Sequence, residues 1–358
     1  MTDPQNSDSQ NTAAVVGFRA ELRDAVTPRT VGLVFGVLVL QLAFVLSYVG
    51  AFHSPKPHQI SLAVVAPEQV SAQLVDEFNG IASDPIKARA VSDEDRVRAA
   101  IRVGKLSAAL IVDGSGTSDR LLITTAGGTS VATAVQQVVE SAEAQRQRTV
   151  AVEDVVPMQD GDARGLTGFY LVLGWIVGGY LMAALLGMAK GARPANLRRA
   201  VIRLLAVVPY AVLSGLGGAV IVDPMLDALD GHFLALWWLG ALVVFATAAV
   251  TMAFQVLLGV LGIGLTVLVF VVLGNPSAGG AYQPEMLPSF WRALSDVLPN
   301  GAATDAVRRI VYFGAHGNAG HLAVLAAYAI GGIVVTVVAS HLLGRRAAAA
   351  VPSSGTMR

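Results

Sequence analysis

A chain of 358 residues that is 54% hydrophobic and only 14% charged is too apolar for an ordinary soluble domain and points to a protein built largely within a membrane. With no Cys it can form no disulfide, thiolate nucleophile or Cys-built metal or iron-sulfur site, and a net charge of +0 lacks the basic excess of a nucleic-acid binder. The charges are sorted along the chain, and the sorting carries the topology.

In residues 1–30, Val15, Phe18, Leu22 and Val26 recur at helical spacing while Arg19, Glu21, Arg23 and Asp24 take other faces, up to Pro28. The pattern fits a cytoplasmic helix lying along the inner leaflet, with a solvated leader helix as the alternative. The apolar run 31–52 is long enough to span a bilayer, and it reads as a first span rather than a cleavable signal.

Residues 53–165 break the apolar pattern and hold more Asp and Glu than Lys and Arg, so they read as a soluble extracytoplasmic domain. Strands are expected over 59–66, 86–91, 108–112, 120–125 and 150–156, and helices over 68–82, 93–103 and 129–148. The order β-α-β-α-β-β-α-β describes a small α/β domain. Asp93, Glu94 and Asp95 fit a helix first turn rather than a cation site, and Gly127–Gly128 a turn before the long helix. The six His of the chain lack metal-ligand spacing, and His53 and His58 read as solvated.

Four further apolar runs follow at 166–188, 201–222, 233–257 and 321–343, with a short one at 259–273, giving six transmembrane helices. Only Gly259, Gly262 and Gly264 mark the join between the fourth and fifth, so five or seven spans are the alternatives. Arg19, Arg23 and Arg29, the connection with Lys190, Arg193, Arg198, Arg199 and Arg203, and Arg345, Arg346 and Arg358 of the tail 344–358 are assigned to the cytoplasm. The connection 223–232, with Asp223, Asp227 and Asp230 and no Lys or Arg, is assigned to the outside. The basic connection enforces topology, meets anionic lipid or docks a partner.

The spans contain no clear mid-membrane charge. Gln41, Gln255, Thr247, Thr251 and Thr266 are polar there, with helix–helix hydrogen bonding as the first reading and a lined substrate path as the second. Gly174, Gly178 and Gly179 are expected to permit close helix approach.

The stretch 275–313, within an outer loop 275–319, is too patterned for a tether. It runs from Asn275-Pro276-Ser277-Ala278-Gly279-Gly280 through Pro284 and Leu287-Pro288 to Phe290-Trp291, Leu298-Pro299 and Arg308-Arg309. With the apolar runs on either side it resembles the C-terminal portion of type-2 ABC exporter permeases, especially the phage-infection-protein and YhgE-like branch. The element from Gly104 to Val112 is similar to one in that branch too.

The resemblance implies a six-span permease working as a homodimer or heterodimer in a bacterial plasma membrane, with both termini cytoplasmic and an elbow helix before the first span. It implies two short outer helices dipping toward the membrane, which makes Ser277, Gly279, Gly280, Pro284, Pro288, Pro299, Arg308 and Arg309 the candidate outer gate. It also implies a coupling helix for an ATP-binding subunit in the connection bearing Arg193, Arg198, Arg199 and Arg203. Gly104-Lys105 is followed by Leu106 and so cannot be a P-loop, which leaves ATP hydrolysis to that subunit and the chain itself without cofactor or enzymatic site. The expected function is outward movement of an amphiphilic, lipid-like or drug substrate. The alternative is an ATP-independent envelope protein whose outer domain binds a ligand, partner or phage, and an intramembrane enzyme stands third for want of a catalytic constellation.

Overall fold

The computed structural model describes residues 26–194 and 196–349, so most of the expected leader helix and the end of the tail, with Arg358, lie outside the described residues. Helix α1, Pro28–Phe52, begins where Thr27 accepts a hydrogen bond from the Thr30 amide and Pro28 occupies the first helical position. It is one of five described helices long and apolar enough to cross a membrane. The others lie in α5 (Thr167–Lys190), α6 (Leu197–Val220), α7 (Phe233–Leu258) and α11 (Ala319–Ala349).

The fifth expected span is where sequence and structure differ. Its residues form α8, Leu261–Val267, continued by a π-helical turn over Leu268–Leu273. At ~1.5 Å per residue this piece reaches roughly 20 Å, short of the ~30 Å hydrocarbon core. A hairpin at Gly259 (φ +65°) joins it to α7, and Gly262 packs so tightly on the Phe254–Gln255 backbone that a side chain would collide there.

Helix α7 is the hub of the bundle, with 72% of its most apolar window buried against 6% for α1. Its inner positions are small, including Ala241, Ala246, Ala248, Ala249 and Ala253, so neighbouring backbones approach closely. A Cβ on Gly179 of α5 would sit 2.6 Å from Val244 O, and one on Gly332 of α11 2.6 Å from Ala249 C. Gly178 is also crowded, at 3.1 Å from the Tyr210 hydroxyl, whereas Gly174 has nothing within 4 Å. Thr247, Thr251 and Thr266 do not bond between helices as expected; they donate to Val243 O, Thr247 O and Gly262 O four residues back, because a Thr hydroxyl reaches its own helix first.

The α/β domain follows the expected element order. Strands β1 (Ile60–Val65), β2 (Ile86–Ala90), β3 (Ala108–Ile111), β4 (Ser118–Ile123) and β5 (Thr149–Asp154) form one sheet in the order β2-β1-β3-β4-β5. All neighbours are parallel except the β3/β4 pair. Helices α2 (Glu68–Asn79) and α4 (Thr129–Gln145) cover one face, where Ile60, Leu62 and Val64 meet Leu74, Phe78, Val131 and Val135. Helix α3, Glu94–Arg102, covers the other with Val97 and Ile101 against Ala63, Ala109 and Leu122. This alternation is the period-two register of a strand buried on both faces. Asp93 caps α3 by accepting from the Asp95 amide at 2.9 Å, and Gly128 (φ +136°) precedes α4, as the sequence predicts for both.

Candidate functional site

The loop after α8 folds into two helices, α9 (Ser289–Val297) and α10 (Pro299–Tyr312), separated by the extended residue Leu298. Pro288 and Pro299 stand at their starts, where a missing N–H costs nothing. Most of α10 is buried, from Pro299 to Thr304 and at Ala306, Val307, Ile310 and Val311, and it packs into the core formed with α5, α7 and α11. A polar knot holds its start, where Asn300 donates from Nδ2 to Phe270 O and to Asn275 Oδ1, both at 2.9 Å. The π-helical turn frees carbonyls there, and Ser277 donates to Leu273 O at 2.8 Å.

The same loop is built into the α/β domain. Met286, 7% exposed, lies in the core cluster of the sheet with Val131 and Val135. The Lys56 and His58 amides donate to Met286 O and Glu285 O at 3.3 and 2.9 Å. Ser130 bonds the buried Gln283 side chain, which fills the space a Cβ on Gly128 would need. Gly280 lets the loop lie on the Phe169 ring at the start of α5, where a Cβ would come within 2.6 Å. On the far side Tyr312 donates to Asp162 at 2.8 Å, and burial followed by this bond pushes its hydroxyl above its ordinary value.

Of the expected gate residues, Gly279, Gly280, Pro284, Arg308 and Arg309 gather at this junction, Ser277 sits in the polar knot at the start of α10, and Pro288 and Pro299 frame α9. Arg308 donates to Gly279 O at 2.9 Å and to Asp305 at 3.2 Å; Arg309 donates to Asp305 at 2.6 Å and to His316 O at 3.0 Å. His321, in the first turn of α11, meets the same carboxylate at 2.9 Å. Burial works to raise the Asp305 carboxyl, but the His321 hydrogen bond and the charges of Arg308 and Arg309 outweigh it and hold it well below the usual carboxylate range. Asp305 is the central residue that sequence reading missed. Its spacing of three and four from the two arginines on one helix was the available signal.

Between the domain and α10 lies a cavity of about 230 Å³ lined by Lys105, Ser107, Thr124, Glu285, Arg309 and Phe313 among others. Gly104 (φ +66°) packs on the Phe313 ring, which would lie 3.0 Å from a Cβ, and so seats Lys105 beside the cavity. No group of His, Asp or Glu with metal-ligand geometry occurs among the described residues.

At the other end of the bundle the basic connection has no helix of its own among the described residues. Arg198, Arg199 and Arg203 instead belong to the first two turns of α6, which starts at Leu197 under an Asn196 cap. Arg193 donates to Val256 O and Leu257 O at the end of α7 at 3.2 and 3.0 Å, and Arg203 to Lys190 O at the end of α5 at 2.9 Å. Both guanidiniums therefore satisfy helix C-terminal carbonyls. Arg198 and Arg199 are exposed, and their side chains make no ion pair among the described residues.

The two glutamines do not meet. Gln41 is exposed on α1, whereas Gln255 is 2% exposed on α7 and, with Arg203 and Thr336, lines a void of about 10 Å³. That void has room for roughly one water.

Large apolar side chains such as Phe35 and Leu46 of α1, Leu185 of α5, Leu205 and Leu213 of α6 and Ile330 of α11 face outward, as lipid-facing helices require. The chain is thus a helical membrane protein with a mixed α/β domain. No family model, curated protein or solved structure matches it.

Proposed function

We propose that the chain is the permease subunit of a type-2 ABC exporter, with six membrane segments and the α/β domain outside, moving an amphiphilic, lipid-like or drug substrate outward on ATP hydrolysed by a separate subunit. The observation that carries this reading is the junction of the short apolar segment 261–273 with α9 and α10. Two short helices packed between the apolar segment 261–273 and the last span are what the resemblance implies for an exporter's outer gate.

The distribution of charge supports the orientation. The domain lies at one end of the bundle with the acidic connection, since Gln159 and Asp230 exchange hydrogen bonds at 2.9 and 3.2 Å. Arg193, Arg198, Arg199 and Arg203 lie at the opposite end, with Gly344 of α11 beside Asn196. The positive-inside rule puts that basic end in the cytoplasm, and the resemblance implies that the membrane is a bacterial plasma membrane. The long apolar face of α1 would meet lipid or a second permease copy.

Arg198 and Arg199 are then the residues for the ATPase contact, because Arg193 and Arg203 are committed to helix ends. Purification from native membrane tests this. Arg198→Ala/Arg199→Ala is expected to lose a co-purifying ATPase and export while melting as the parent does. Absence of any ATPase partner from the parent protein, together with unchanged export by the variant, would sink the reading.

A second reading, an ATP-independent envelope protein whose outer domain binds a ligand, draws on the cavity at the domain–loop junction. Ligand binding by the outer domain in a chain that neither exports nor retains an ATPase would favour it.

A further inference from the structure

The cavity between the α/β domain and α10 has an uneven charge inventory. Arg308 and Arg309 are already occupied, by Asp305 and by the carbonyls of Gly279 and His316. Two charged residues of its lining are not. Lys105 comes from the turn between α3 and β3, Glu285 from the loop ahead of α9, and neither takes part in an ion pair among the described residues, with each other or with any third group. One unmatched cation on the domain side and one unmatched anion on the loop side therefore line a common space.

The remaining lining fits a small polar solute. Ser61 and Ser107, whose hydroxyls bond each other, and Thr124, whose hydroxyl donates to Val156 O, make part of the wall polar, and Phe313 brings one aromatic wall. Its volume of about 230 Å³ falls below the ~300–1,000 Å³ of pockets for drug-sized ligands. Lys105 is exposed and Glu285 half-buried, so the site is open to exchange.

We propose that this cavity binds a small zwitterion, its phosphate or carboxylate end at Lys105 and its ammonium end at Glu285. A ligand with only one charge would leave the opposite residue without a partner, whereas a zwitterion satisfies both. The ligand spans the seam between domain and loop, so it stiffens the junction that Met286 and Gln283 already hold. A free solute and the headgroup of an amino-phospholipid share this chemistry. The cavity would take either whether or not an ATPase drives the chain.

The test uses the full chain purified in detergent, without nucleotide. Calorimetric titration with O-phosphoethanolamine is expected to show one saturable site, with Lys105→Gln and Glu285→Gln each weakening it by about tenfold or more. Glycerol 3-phosphate, which lacks the ammonium, separates the two ends: Lys105→Gln should weaken it and Glu285→Gln should not. Neither side chain makes a hydrogen bond or ion pair among the described residues, so both variants should melt with the parent in the absence of ligand. In a parallel arm the protein is placed in nanodiscs of phosphatidylethanolamine or of phosphatidylglycerol and melted.

Saturable binding of the free solute supports a soluble ligand. A melting rise confined to phosphatidylethanolamine, and lost in both variants, supports a lipid headgroup. Absence of both effects would overturn the proposal, as would binding that either variant leaves unchanged or a glycerol 3-phosphate affinity that both variants weaken alike. Because no ATPase or transport enters the measurement, its failure is separate from failure of the export reading.

Discussion

Met286→Ala tests whether the outer helices and the α/β domain form one mechanical unit. The Met286 side chain is 7% exposed within the sheet's core cluster, and truncation of such a residue costs ~2–5 kcal/mol according to how far the site collapses. Two backbone hydrogen bonds, from Lys56 and His58 to residues 286 and 285, still hold the segment, which places the cost at the lower end, about 2–3 kcal/mol. At 1.4 kcal/mol per factor of ten, that is roughly a 30- to 140-fold rise in the population of opened junction. Hydrogen exchange of the full chain reads it out by peptide. Faster exchange is expected both in the loop peptide covering Tyr282 to Leu287 and in β1, β3 and α4, whose core the methionine completes. If exchange rose only in the loop while the sheet kept its protection, the two parts would be separable and the idea of a single unit would be wrong.

A paired substitution tests the crossing of α6 on α7. A Cβ on Gly215 would lie 2.5 Å from Ala241 N and closer still to Trp237 O, so Gly215→Ala must push two backbones apart at ~1–3 kcal/mol and lower the melting temperature. Gly217→Ala, two residues on and so on the opposite side of the helix with nothing within 4 Å, should be neutral or stabilising by up to ~1 kcal/mol. In the domain, Arg148 grips the fully buried Asp119 with two bonds of 2.6 Å, and Arg148→Met should cost ~3–5 kcal/mol by chemical denaturation because it strands that charge. Burial raises the Glu143 carboxyl above its ordinary value, so its contribution is present below the unfolded value and lost as pH rises through the raised one; Glu143→Gln should remove that decline from the pH–stability curve.

Local pattern was enough for the elements of the α/β domain. Its five strands and three helices lie within a few residues of their expected bounds because each carries its own periodicity, cap or turn. Helix α4 stops at Gln145 rather than 148, where Gln147 turns to φ +57° to feed β5. The short segment 261–273 was visible as an apolar run, but its π-helical end depends on Asn300 and Ser277 donating to the Phe270 and Leu273 carbonyls it frees. The basic connection showed its charge in the sequence and not its division of labour. Only packing decides that Arg193 and Arg203 cap helices while Arg198 and Arg199 stay free.

The stretch 275–313 shows the same boundary. Its prolines and glycines, and the i, i+3 and i, i+4 spacing of Asp305 with Arg308 and Arg309, are local features that the sequence determines by itself. That Met286 completes the core of a domain more than a hundred residues earlier, and that Lys105 and Glu285 share one cavity, follows from tertiary contact alone. Apolar burial is non-directional, so a sequence can specify that a methionine is buried without specifying in which core.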